Sequence, residues 1–126
     1  MNTDVDSLAQ ILERINKQPA DYFGKGSRTL EVIEAFLVGY QFGLEFPDKK
    51  LPFTHFTRWV AATYRVPDEA KNAFTLIREH VGGDETLAYD EFFRLLPAYA
   101  KDMAEKGTYG ISKWYGQVMI QLRHQT

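Results

Sequence analysis

The residues of this 126-residue chain best suited to chemistry by type are two pairs of adjacent carboxylates, Asp84-Glu85 and Asp90-Glu91, three scattered histidines and one glycine-rich stretch. Acid–base catalysis needs two carboxyl groups facing one substrate, with surroundings that hold one of them protonated. Neighbours on a helix diverge by about 100°, and nothing flanking these pairs is suited to raising a pKa. Asp90 also has Arg94 four residues on, the spacing of a solvated helix ion pair. One reading is therefore a charged helix start facing water. The other is an acidic docking surface formed by Asp84, Glu85, Tyr89, Asp90 and Glu91, four acids within eight residues with an aromatic between them. Such a surface suits a basic partner.

The remaining candidates each lack a needed residue. None of His55, His80 and His124 has a second histidine or a glutamate placed to make a helical metal pair. His80 is expected near a helix end, where the dipole favours it. Gly24-Lys25-Gly26-Ser27 resembles a phosphate loop but lacks the full spacing and follows no strand, so it reads as a flexible lead-in to a helix. Setting Glu91 at the last position of a calcium loop puts His80 at the first and Glu85 where the sharp-turn glycine belongs. That leaves two oxygen ligands missing. No nucleophile elbow or dinucleotide fingerprint occurs, and there are no cysteines. No catalytic, cofactor-binding or metal residue is assigned, and the chain reads as a binding protein and not an enzyme.

Helices must carry these residues. Leu8, Ile11, Leu12 and Ile15 define a first helix over 4–17, ended by Pro19. Ser27 is the expected cap of a second, reaching about Leu44, with apolar stripes through Leu30, Ile33 and Leu37 and through Val32 and Phe36. Gly39 and Gly43 on that helix would admit a close neighbour, or are simply tolerated. A third helix is expected over 53–64. A fourth should start at Val66-Pro67-Asp68-Glu69, carry Ala70, Ala73, Phe74, Ile77 and Val81 inward, and stop at Gly82-Gly83. A fifth, running from the 84–90 region to about Lys106, contains Pro97, which should kink or split it. A turn over Gly107–Gly110 precedes a last helix with Ile111, Tyr115, Val118, Met119 and Leu122 on one side. At most residues 85–88 could be extended. The expected fold is all-α: one compact bundle of about six helices spanning 1–126.

Composition agrees, with 44% hydrophobic and 14% aromatic residues to fill one core. The net charge of −2 is unevenly spread. Acids and bases balance over 1–66, acids dominate 67–105, and 106–126 holds Lys106, Lys113 and Arg123 without an acid. An acidic centre argues against nucleic-acid binding. The polar start lacks a secretory pattern, and no apolar run approaches a membrane span, which leads us to expect a cytoplasmic protein.

Pro19-Ala20-Asp21-Tyr22-Phe23-Gly24, then Ser27, Leu30 and Phe36-Leu37-Val38-Gly39-Tyr40, resembles a pattern in small helical bacterial immunity proteins of contact-dependent growth-inhibition and polymorphic toxin systems. Asp90-Glu91-Phe92-Phe93-Arg94-Leu95-Leu96 is similar to their acidic, Phe-rich later helix. The likeness covers about 19–97, and Asp21 stands where those proteins usually have methionine. It implies a protein that binds a cognate toxin domain, often a nuclease, and blocks its active site. It supplies no catalytic residues. The alternative is an adaptor or regulatory domain holding a peptide or small hydrophobic ligand in a pocket lined by Tyr22, Phe23, Tyr40 and Trp59.

Overall fold

The computed structural model describes residues 3–17, 28–43, 55–67 and 71–124, and among them every regular element is a helix. In chain order these are α1 (Thr3–Lys17), α2 (Leu30–Gly43), α3 (Phe56–Tyr64), α4 (Ala73–His80) and α5 (Glu85–His124). The protein is all-α, as its periodicity requires. The segments containing Gly24–Ser27, Tyr22 and Phe23 lie outside the described residues.

Most buried side chains are those of the expected stripes. Leu12 and Ile15 come from α1, Leu30 and Ile33 from α2, and Phe56, Trp59 and Val60 from α3. Ile11, placed on the first stripe, is instead 40% exposed. From α5 come Phe92, Leu95, Leu96, Tyr99 and Met103, and near its end Ile111, Val118 and Met119. All other helices pack on α5, which makes it the scaffold of the bundle. An aromatic knot joins α3 to it: the Phe56 ring lies 5.0 Å from Tyr99 and 5.8 Å from Phe92, both edge-on. Such pairs contribute about 0.5–1.5 kcal/mol beyond the apolar area they bury.

Several boundaries differ from expectation, each for a local reason. Residues 28 and 29 are not helical, so the position before α2 falls to Thr29 and not Ser27. The fourth helix does not start at Pro67: Lys71 and Asn72 are still non-helical. Asn72 caps it, its side-chain oxygen accepting from the Thr75 amide at 3.0 Å, while the Ala73 amide donates to the Thr57 hydroxyl. A side-chain acceptor for the orphan amides of the first turn outweighs the proline signal. Residues 85–88 are helical throughout. At Gly39 a side chain would meet no atom of the described residues, so among them no neighbouring helix approaches there.

Two helices end in the same hydrogen-bonded turn. After α4, Gly82 and Gly83 return their amides to Glu79 and Arg78. After α3, Arg65 and Val66 return theirs to Ala62 and Ala61. Glycine is the usual residue at the left-handed position of this turn; at the end of α3 it is Arg65, at φ 54°.

Pro97 does not break α5. It lies exposed within the helix, and the one residue inside α5 with non-helical torsions is Gly107, at φ 69° and ψ 178°. The expected four-residue turn is thus a single-residue break between two arms, 85–106 and 108–124. Trp59 of α3 meets Asp102 and Tyr64 meets Glu91, so position numbers fall along the first arm as they rise along α3. Arg58 meets Tyr115 and Arg65 meets Gln121, so they rise along the second. The arms therefore run in opposite directions past α3, and the chain doubles back at Gly107. Gly110 is needed for the same reversal, because a Cβ there would sit 2.8 Å from that of Lys106.

Candidate functional site

The five residues expected to form an acidic surface do not share one environment. Asp84 caps α5, its side chain accepting from the Leu87 amide at 2.9 Å. Glu85 is a tie between helices. Arg78 of α4 donates to both of its oxygens, at 2.9 and 3.1 Å, and the Glu31 amide of α2 donates at 3.2 Å. Arg78 also pairs with Glu34 at 3.0 Å, so one guanidinium links α2, α4 and α5. The charged hydrogen bonds from Arg78 hold the Glu85 carboxyl below its ordinary range.

Tyr89 corrects the sequence reading most clearly. It is fully buried, beside Phe93 at 4.9 Å between ring centroids, with the Arg28 guanidinium over its ring. It cannot be the exposed aromatic of a docking surface. The exposed apolar residue there is Leu87, at 52%. Alternation explains the exchange: Ala88, Phe92, Leu95 and Tyr99 turn toward the core, and Leu87 lies off that stripe.

Asp90 pairs with Arg28 of the segment before α2 at 3.1 Å, and both side chains are more than half exposed. The Arg94 partner expected for Asp90 goes to Glu91 instead. Its Nε and one terminal nitrogen donate to the two Glu91 oxygens at 2.6 and 2.7 Å. Glu91, only 11% exposed, is the hub of a second cluster. The Tyr64 hydroxyl donates to it at 2.5 Å, and His80 Nε2 lies 3.8 Å away. The imidazole is stacked on the Tyr64 ring at 4.0 Å with planes 5° apart. Arg94 holds the Glu91 carboxyl low, against the opposing effect of burial, with help from the Tyr64 bond. Burial and the same carboxylate push the Tyr64 hydroxyl well above its ordinary value. This cluster was not legible in sequence, because Tyr64, His80 and Glu91 sit on three helices.

Beside the stacked pair is a cleft of about 270 Å³ walled by Val66, Pro67 and Leu76, with the Lys71–Glu79 ion pair at its rim. Of the four residues expected to line a ligand pocket, Trp59 alone has a described side chain. Trp59 is 3% exposed and its Nε1 donates to Asp102 at 2.9 Å. The side chains of Tyr22, Phe23 and Tyr40 lie outside the described residues.

The stretch compared with a calcium loop is a short turn, 81–83, followed by helix from Glu85. Among the described residues no group of three potential ligands could hold a metal ion, and no helix is long and apolar enough to cross a membrane. The Glu85 and Glu91 clusters, the Arg28–Asp90 and Lys71–Glu79 pairs and the Asp84 cap together carry seven carboxylates (Glu31, Glu34, Glu79, Asp84, Glu85, Asp90 and Glu91) against four full cations (Arg28, Lys71, Arg78 and Arg94). The surface is acidic in balance, though most of its acids are engaged within the fold.

The chain matches no protein-family model, no curated protein and no solved structure.

Proposed function

We propose that this protein is an immunity-type inhibitor that docks on a cognate, basic toxin domain and occludes its active site. The observation that carries the reading is Leu87, half-exposed between Asp84 and Asp90 on the outer face of α5. An exposed apolar side chain flanked by carboxylates can fill a partner's pocket while the acids steer a partner of opposite charge. The resemblance of Phe36–Tyr40 and Asp90–Leu96 to bacterial immunity proteins supports the same reading, with the cytoplasm as the place of action and a nuclease as the favoured target class.

In this reading the acids divide by role. Asp84 and Asp90, at the rim, set the association rate and its salt dependence. Glu85 and Glu91, tied to Arg78 and Arg94, keep the face rigid so that little side-chain order remains to be lost on binding.

The test is a binding and inhibition assay against a catalytic toxin domain encoded beside this chain. Leu87→Ala should raise Kd about tenfold or more, mainly through faster dissociation. Charge reversal of Asp84 and Asp90 together should slow association and flatten its salt dependence. A toxin domain that neither binds nor loses activity would sink the proposal. Normal binding by both variants would sink this surface.

A further inference from the structure

The second arm of α5 carries a face with the opposite character. Tyr109 is 79% exposed and Ile120 53% exposed. They are eleven positions apart, three helical turns, so they lie on one line along the arm. Lys113 and Gln117, both exposed, lie between them on the same side, while Ile111, Val118 and Met119 on the other side are buried. The arm from 108 to 124 contains Lys113 and Arg123 and no carboxylate. Lys106, just before the reversal, stacks its ammonium over Trp114 at 4.8 Å but is paired with Asp102 at 3.7 Å, so the charge of the ridge comes from Lys113 and Arg123. The result is a basic ridge with an apolar residue toward each end.

The opposite surface is present on the same molecule: the acidic face around Leu87 at the start of the first arm. We propose that the chain self-associates as a two-fold dimer, with the Tyr109–Ile120 ridge of each copy lying on the Leu87 face of the other. Charge favours a second copy as the occupant, and a two-fold arrangement doubles the small area that one ridge offers. The ridge from Tyr109 to Ile120 is about 17 Å long and about 10 Å wide, under about 200 Å². A stable specific interface buries about 800 Å² on each partner, so one ridge contact is too small by itself. In a two-fold dimer every contact between unlike patches occurs twice. Each chain then contributes both its ridge and its acidic face, which doubles the contact while keeping it smaller than a stable interface, with cations facing carboxylates at both places. Because the acidic face is already engaged with Arg28, Arg78 and Arg94, the dimer is weak and strongly salt-dependent.

Sedimentation equilibrium of the full chain tests this without any other protein, so its outcome is separate from that of toxin binding. At low ionic strength the mass should rise from monomer to dimer with concentration, and at high ionic strength it should return to monomer. Lys113→Glu and Asp90→Lys, each surface changes checked by circular dichroism, should each weaken self-association about tenfold. Mixed in equal amounts, the two variants should recover much of the lost association, because one of the two contacts then pairs a reversed ridge with a reversed acidic face. Ile120→Asp should abolish it. A monomer at every concentration in low salt would overturn the proposal and leave the ridge to an acidic foreign partner. A dimer indifferent to these variants would overturn it equally.

Discussion

The Tyr64 hydroxyl on α3 donates a 2.5 Å hydrogen bond to Glu91 on α5, across 27 positions of sequence. The same carboxylate is held by both nitrogens of the Arg94 fork. These contacts lie at the edge of the core, against which Tyr64 packs, and together they fix where the end of α3 lies on the first arm. Removing the hydroxyl by Tyr64→Phe should cost about 1.5–3 kcal/mol, as for a hydrogen bond to a charged group. Glu91→Ala should cost more, because Arg94, Tyr64 and His80 all lose their shared partner. A double-mutant cycle by urea denaturation should give a coupling of about 1 kcal/mol between the two positions. Additive effects would mean the contact does not stabilise the fold.

Acid should weaken the protein through Glu91. Its folded-state pKa lies below the ordinary carboxylate value, because Arg94 favours the ionised form. A depressed folded pKa contributes stability that is complete above the unfolded value of about 4.3 and is lost as pH falls through the folded one. Glu85, held low by Arg78, acts in the same direction. Thermal melts should show Tm falling below about pH 4, and falling less steeply in Glu91→Gln. Parallel curves for the two proteins would refute this assignment.

Tyr89 should be replaceable. Its hydroxyl is buried and finds no hydrogen-bond partner among the described residues. A buried, unpaired hydroxyl costs free energy that phenylalanine does not incur. Tyr89→Phe should therefore leave stability unchanged or raise it by up to about 1 kcal/mol. It should also leave partner binding intact, in contrast to Leu87→Ala. A loss above about 1 kcal/mol in chemical denaturation would show that the hydroxyl is satisfied after all.

Gly107→Ala should be among the most damaging single substitutions outside the apolar core. At φ 69° and ψ 178° an L side chain is strained, by about 1–3 kcal/mol. Gly110→Ala meets the Lys106 Cβ and should also destabilise. Gly116→Ala, where a Cβ meets open space, should be neutral or mildly stabilising, since alanine favours the helix. Equal effects at all three positions would contradict the reversal.

The sequence by itself determined what depends on near neighbours along the chain. The 3.6-residue spacing of Phe92, Leu95, Leu96, Tyr99 and Met103 marks the buried side of the first arm, and Gly82-Gly83 marks where α4 stops. Both were legible because helix faces and helix ends are set by residues within one or two turns. The surface was not legible in this way. That the acids of 84–91 are mostly paired depends on Arg28 at a separation of 62 residues, on Arg78 brought round by the 81–83 turn, and on a choice by Arg94 between two adjacent carboxylates. Local spacing favoured Asp90 for Arg94; the fold gave Asp90 to Arg28 and left Glu91 to be clamped. Likewise Tyr89 and Leu87 are both large and both lie within the acidic 84–91 stretch, and only the packing of the bundle shows which of them is buried. Pro97 and Gly107 were both visible as possible breaks. The break falls at Gly107 because the second arm returns along α3, and a left-handed torsion there is open to glycine at little steric cost.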